Sequence, residues 1–274
     1  MSGSALQLAV VYPELLGTYG DGGNVLVLSQ RLLWRDLAVT VVPVALGEPV
    51  PDSCDLYVVG GGEDEAQTAA LAALRRTPGL LRAAAAGTPV LAVCAGLQLL
   101  GTWVTGRDGV RTAGLGLLDA TTTRRSRRAV GELVAVPDAA LGLPPLTGFE
   151  NHGGGTRLGP AATPLGTVVS GVGNGPESEE PQGDPRYEGA LQGPVVATYL
   201  HGPVLARNPA LADLVLGRAL GRELEPIEQP AIDRLRQERL PRRGRGGRPM
   251  RSRGRARGAT SVPPMERPTR SVEP

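Results

Sequence analysis

Lysine is absent from this chain, and all 29 basic residues are arginine. A P-loop needs its lysine on the nucleotide phosphates, so no Walker-type ATP site is expected here. Cysteine is scarce as well: Cys54 and Cys94 are the whole complement and offer no disulfide framework. Long apolar runs are missing too. No stretch is long enough to span a bilayer, and neither end joins a basic segment to an apolar one. Together these absences predict a soluble protein of a reducing cytoplasm, without a membrane span and without a nucleotide site of its own.

Charge is present but unevenly spread. Residues 241–274 hold ten Arg and two Glu, a surplus of eight positive charges that leaves the rest of the chain at −6 against a total of +2. The sequence pI of 8.8 therefore belongs to the tail. That tail has almost no apolar content and is expected to be a disordered Arg/Gly/Pro-rich extension. Arg-Gly repeats attract phosphates, but the aromatic residues that would stack bases are missing from it, so nucleic acid is not expected as a partner. With 274 residues the chain is long enough to bury a substantial core.

Read in order, the first hundred residues alternate. Residues 6–12 predict a buried strand, 13–23 a turn-rich loop ending in Asp21-Gly22-Gly23, and 24–37 a helix with Asn24 as its cap. Strands are predicted over 39–44 and 55–59, the second ending in Gly60-Gly61-Gly62. Residues 63–86 read as helix broken near Pro78-Gly79. The fold class is α/β, an open and mostly parallel sheet flanked by helices, flavodoxin-like. Beyond Gly101, residues 116–123, 129–136 and 167–172 predict antiparallel additions to one end of that sheet. Residues 173–188 read as an exposed loop, 194–200 as a strand, and 209–220 as a final helix with Asn208 as cap and Pro209 first. Residues 226–240 are a short helix or linker between the 1–225 domain and the tail.

The centre of the pattern is Thr88 to Gly101. Val90 to Val93 is a buried strand, Gly96 permits a tight reversal, and Leu97, Leu99 and Leu100 begin a helix, so Cys94 sits at a helix N-terminus. Backbone N–H groups and the helix dipole are expected to favour its thiolate there. A nucleophilic cysteine needs a base, and the histidines are His152 and His201. His201 follows a strand and so shares the sheet edge with Cys94; His152 lies in a glycine-flanked turn and lines a pocket or a partner surface. For the developing oxyanion, the N–H of Ala95 and that of Gly61 or Gly62 are the candidate donors.

Residues 92–98, Ala-Val-Cys-Ala-Gly-Leu-Gln, resemble the Gly-x-Cys-x-Gly-x-Gln elbow of class I glutamine amidotransferases, with alanine in place of the first glycine. Further segments are similar to the GatD branch of that class, the glutaminase subunits of lipid II isoglutaminyl synthases. They are Tyr12 to Leu16 with Gly22 to Asn24, Gly60 to Asp64, Arg128 to Gly131, Gly148 to Gly154 and Thr198 to Pro203, covering residues 6–225. The resemblance implies Cys94 as nucleophile, His201 as its base, and Arg128 with Gln98 as glutamine-binding residues. A guanidinium suits a carboxylate, whereas Arg124, Arg125 and Arg127 read as a solvated run. It also implies no metal or cofactor on this chain. The partner would be a MurT-type ligase carrying ATP and Mg, which amidates the D-glutamate of lipid II in peptidoglycan synthesis. The alternatives are an amidase domain of cobyrinate or cobyric acid type, or a stand-alone γ-glutamyl hydrolase. One departure stands out. Most of the class carry Glu two residues after the histidine, and here that residue is Pro203, so His201 is expected either to act in a dyad or to take its carboxylate from a partner subunit.

Overall fold

Residues 4–17, 20–106, 108–175 and 186–240 are described in the computed structural model, and the expected tail lies outside them. The first element, β1 (Leu6–Val11), leads to α1 (Gly22–Leu33), β2 (Val39–Val44), β3 (Leu56–Val59), α2 (Asp64–Arg76), α3 (Gly79–Ala85), β4 (Val90–Val93) and α4 (Ala95–Leu100). Every residue of β3 and β4 is buried, as expected of parallel strands covered on both faces. After an excursion described below, β11 (Ala190–Gln192) and β12 (Val195–Thr198) return to this layer. The resulting six-stranded sheet runs β11-β12-β4-β3-β1-β2, parallel throughout except for β11 at one edge.

Helix α1 starts two residues earlier than the sequence suggests, with Asp21 rather than Asn24 at the capping position. Asn24 is buried, and its Oδ1 accepts the Leu205 N–H at 3.0 Å, which pins the helix to a later segment. The helix ends at Leu33, short of the expected Leu37, and the chain reverses through Asp36 at φ 56°.

The intervening residues do not extend this sheet. They build a second one from β5 (Trp103–Thr105), β6 (Arg111–Ala113), β7 (Ala120–Pro137), β8 (Leu146–Leu158), β9 (Gly166–Ser170) and β10 (Tyr187–Glu188), joined by β13 (Leu200–His201). Of the run expected at 116–123 only 120–123 is strand, and it belongs with 129–136 to a single strand, β7, whose pairing with β8 shifts register between Arg124 and Ala129. That bulge absorbs the arginines without breaking the strand, which is why alternation fails there. Residues 148–154 are likewise strand rather than turn. A Cβ on Gly148 would fall 2.8 Å from Leu200 Cβ, and one on Gly154 2.5 Å from Gln98 Nε2. These glycines mark close approach, not reversal.

The expected exposed loop at 173–188 is only partly described, and its ends are interior. Asn174 and Glu188 are buried, and the Asn174 amide exchanges bonds of 2.7 and 2.8 Å with the backbone of Gly189. From β12 the chain crosses at Tyr199 into β13, so His201 emerges where the two sheets meet. Helices α5 (Val204–Arg207), α6 (Pro209–Leu220) and α7 (Pro230–Arg239) follow. Asn208 stands at the start of α6, but its side chain bonds Thr147 and Val204 instead of capping its own helix. Helix α6 is not the last; α7 follows in the same compact unit, Met1–Leu240. Among the described residues no helix is long and apolar enough to cross a membrane.

Candidate active site

Cys94 occupies the sharp turn between β4 and α4, at φ 51° and ψ −99°, a conformation rare for a residue with a Cβ. Gly96 makes the turn possible, because a Cβ there would lie 2.4 Å from the Val59 carbonyl oxygen. The thiol is almost wholly buried. Burial pushes its pKa up to about 12, and the negative charge of Asp21 adds to the rise. The Ala95 N–H and the Arg128 charge pull the other way and lose. The expectation that the helix N-terminus favours a thiolate is therefore corrected: desolvation outweighs it, and the resting group is S–H.

His201 is buried at the end of β13, and its Nδ1 lies 3.0 Å from Asp21 Oδ1. A carboxylate can only accept, so Nδ1 carries the proton and Nε2 is left as the proton-transfer atom. The second Asp21 oxygen, Oδ2, accepts the Gly61 N–H at 2.7 Å. The absent Glu at position 203 is thus replaced within the chain by an aspartate 180 residues away, neither missing nor lent by a partner at that nitrogen. One signal for it existed: Asp21 lies in the loop after β1, at the same carboxyl edge of the sheet as Cys94.

Gly61 joins these groups. A Cβ on it would stand 2.8 Å from His201 Cε1, 3.4 Å from Cys94 Cβ and 2.7 Å from Asp21 Oδ2. Its N–H is turned to Asp21, which removes Gly61 from the oxyanion donors and leaves Gly62 and Ala95. Gly60 and Gly62 are crowded too, with the Leu16 and Leu15 carbonyl oxygens 1.9 and 2.8 Å from their absent Cβ positions. The triple glycine lets the 13–17 loop close over the strand end.

Cys94 opens on a cavity of about 510 Å³ between α2, α4 and the second sheet, lined also by Glu63, Gln98, Arg128, Asn151 and His152. Arg128 donates from Nε to Asn151 Oδ1 at 2.5 Å and from Nη2 to the Asn151 carbonyl at 3.2 Å, and its guanidinium lies 3.6 Å from Glu63. Arg124 pairs with Asp64 at 2.8 Å on the same cavity wall, and Arg125 donates to the Gly175 carbonyl; of the supposed solvated run, Arg127 keeps that description.

Gln98 donates to the Tyr199 hydroxyl at 3.2 Å, and that hydroxyl shares a 2.6 Å bond with Thr156. The Tyr199 ring stacks on His152 at 3.8 Å. His152 contacts the Gly154 carbonyl through Nδ1 at 2.8 Å, and burial lowers its pKa, so the ring is neutral. Behind it, Glu188 accepts from the Thr198 hydroxyl and, at 2.9 Å, from the Tyr199 N–H; burial raises its pKa to about 7. Asp21, Tyr199, Glu63 and Glu188 are the site residues that sequence reasoning passed over. Among the described residues no group of three His, Cys, Asp or Glu is placed to hold a metal ion. The arrangement unites a buried thiol, an imidazole oriented by a carboxylate, and a cavity with a cation and an anion at its mouth.

Comparison with known proteins agrees with this chemistry. Residues 7–209 match the model of the CobB/CobQ-like glutamine amidotransferase domain. The chain is 36% identical over 223 residues to the lipid II isoglutaminyl synthase (glutamine-hydrolyzing) subunit GatD of Staphylococcus aureus (strain N315), covering 80% of this chain and 86% of that one. It is 34% identical over 232 residues to the protein of the same name from Streptococcus pneumoniae (strain ATCC BAA-255 / R6), covering 83% and 86%. A crystal structure of a glutamine amidotransferase superposes with a TM-score of 0.52 at 18% identity, over 77% of this chain and 98% of that one, a likeness of fold.

Proposed function

The chain belongs to the CobB/CobQ-like glutamine amidotransferase domain family and is a glutamine-hydrolysing enzyme; from that premise we propose that it is the glutaminase subunit of a lipid II isoglutaminyl synthase, working through a Cys94 thioester. The observation that carries the mechanism is the convergence of Cys94 and the Asp21-bonded His201 on one point beside Gly61, whose absent Cβ would lie 3.4 Å from Cys94 Cβ and 2.8 Å from His201 Cε1.

Glutamine enters the cavity with its side-chain amide toward the thiol. Arg128 grips the α-carboxylate, Glu63 faces the α-ammonium, and Gln98 lines the path of the side chain. As Cys94 Sγ bonds to the amide carbon, its proton passes to His201 Nε2, and Asp21 stabilises the imidazolium. Negative charge collects on the amide oxygen, facing the Ala95 and Gly62 N–H groups. The imidazolium proton then goes to the leaving nitrogen, the C–N bond breaks, and ammonia departs. Water, deprotonated by the same imidazole, attacks the γ-glutamyl thioester, releasing glutamate and restoring the thiol. Because the resting thiol is protonated at neutral pH, attack depends on the base.

Ammonia must reach an acceptor before water protonates it. The proposed acceptor site lies on a MurT-type ligase in the cytoplasm, with ATP and Mg bound there, activating the D-glutamate carboxyl of lipid II for peptidoglycan synthesis. The name and coverage of the two GatD relatives support this partner.

The test is to purify the chain with such a ligase and supply glutamine, ATP, Mg and lipid II. Amidated lipid II and an acid-quenched γ-glutamyl adduct on Cys94 are expected, both lost in Cys94→Ala. Rapid glutamine hydrolysis by the chain alone, unchanged by any ligase, would point instead to a stand-alone hydrolase.

A further inference from the structure

Strand β12 ends at Thr198, in register with Val93 of β4, and β13 starts at Leu200, paired with Glu150 of β8. Tyr199 alone lies between, so the angle of this crossover sets where His201 stands relative to Cys94. All four residues from Thr198 to His201 are buried.

Thr198 bonds to both sides of the crossover. Its carbonyl accepts the Cys94 N–H at 2.8 Å, which fixes the backbone of the thiol's turn. Its hydroxyl accepts the Leu200 N–H at 3.0 Å and donates to Glu188 Oε1. The same carboxyl oxygen accepts the Tyr199 N–H at 2.9 Å. The threonine thus closes a tight turn on the backbone two residues ahead, and Glu188 holds the hydroxyl in the rotamer that does so.

Packing alone does not call for a threonine here. The other residues of β12 are Val195, Val196 and Ala197, every position is buried, and a valine would have the same shape with as strong a preference for strand. A hydroxyl withdrawn from water is costly unless its bonds are made, and here it both donates and accepts. What those bonds fix is the one bend between nucleophile and base.

We propose that Thr198 is a positioning residue for glutamine hydrolysis: through its carbonyl and its Glu188-held hydroxyl it sets the crossover that brings His201 to Cys94. Thr198 does not line the cavity at the thiol, so its effect passes through those two residues. The inference rests on reading them as the reacting pair.

The test compares Thr198→Val, which removes both hydroxyl bonds at constant shape, with Thr198→Ser, which keeps them, and with Cys94→Ala, in the full chain with and without the ligase. Single-turnover mixing quenched in acid gives the rate at which the γ-glutamyl adduct forms and the fraction of chains that form it; steady-state kinetics give kcat and KM. In Thr198→Val the adduct is expected to form about 10²-fold more slowly, with KM and the labelled fraction held, because misaimed groups act on the transition state. Thr198→Ser should recover most of the rate. Where Thr198→Val does not fold, Thr198→Ala is read in its place, since it leaves room for a water between Leu200 and Glu188. A normal rate in the variant without the hydroxyl, a smaller labelled fraction at unchanged rate, or no recovery in Thr198→Ser overturns the proposal. The reading of the thiol then still stands if Cys94→Ala forms no adduct. Hydrolysis that survives in Cys94→Ala overturns that reading, and the proposal with it.

Discussion

The two sheets bury different things. In the six-stranded sheet the interior of β3 and β4 is Leu, Tyr, Val and Ala, and the layer acts on the chemistry through its backbone, by the turn at Cys94 and the glycines at Gly60 to Gly62. In the seven-stranded sheet the buried set includes Thr122, Glu150, His152, Thr156 and Glu188, a polar wall of which Thr122 and His152 line the cavity at the thiol. An apolar layer fixes position to tenths of an ångström because its packing leaves no freedom, whereas a hydrogen-bonded layer selects what enters. Changes on the first side should therefore act on turnover, and changes on the second on substrate affinity and on pH response.

The largest effect is expected from Asp21→Asn, on the turnover side. If the new amide oxygen keeps the Gly61 N–H, its NH₂ faces His201 Nδ1, which must become an acceptor. The ring proton then sits on Nε2, where it blocks transfer from the thiol. Glutaminase kcat should fall by about 10³-fold with little change in Tm. A loss below tenfold would mean that the carboxylate only packs there.

Asp21 also shows where sequence reading stops. The parallel half was legible because burial on two faces writes apolar runs into β1, β3 and β4, and because a strand that meets Cys-x-Gly can only turn sharply. The second sheet was not. Its bulge at Arg124 to Ala129 hides alternation, and its glycines at 148 and 154 mimic a turn while serving close contacts with Leu200 and Gln98. Pairings across 180 residues, such as Asp21 with His201, leave no local trace. The thiol's pKa was misjudged for a related reason: the helix N-terminus is visible in sequence, but the burial that overrides it is a tertiary quantity.

The next effect belongs to the polar wall. Burial holds the Glu188 pKa at about 7 against an ordinary 4.5, so between those values the folded protein binds a proton that the unfolded chain has lost. Its contribution is favourable at low pH and fades as pH rises through 7. The stability advantage of the natural chain over Glu188→Gln should thus shrink by roughly 3 kcal/mol from pH 4.5 to 8, measured by urea unfolding. His152, whose pKa burial lowers, works in the opposite sense, losing stability as pH falls below its ordinary 6.5. The variant should therefore show a plainer rise with pH over that range. A difference independent of pH would place the Glu188 proton elsewhere.

Gly61→Ala tests the apolar side again at smaller scale. The new methyl would press on His201 Cε1 and Asp21 Oδ2, at 2.8 and 2.7 Å, and the imidazole must shift by a few tenths of an ångström. A kcat loss of about 10²-fold at nearly constant KM is expected from steady-state kinetics, since misplacement of a catalytic group acts on the transition state. A raised KM with normal kcat would show that the methyl obstructs glutamine instead.

The smallest change sharpens the comparison most, because it keeps the charge. Arg128 is held by Asn151 through Nε and Nη2, bonds that fix the plane of the guanidinium at the cavity mouth. In Arg128→Lys the positive charge stays within reach of a glutamine α-carboxylate, but the planar fork and both anchoring bonds are gone. Binding should weaken alike in ground and transition states, raising KM by about tenfold with kcat preserved. The same substitution leaves Glu63 without its neighbouring guanidinium fork, so a substrate lacking the α-amino group should lose less than glutamine does. If kcat falls while KM holds, the polar wall reaches into the chemistry, and the division of labour between the two sheets fails at that residue.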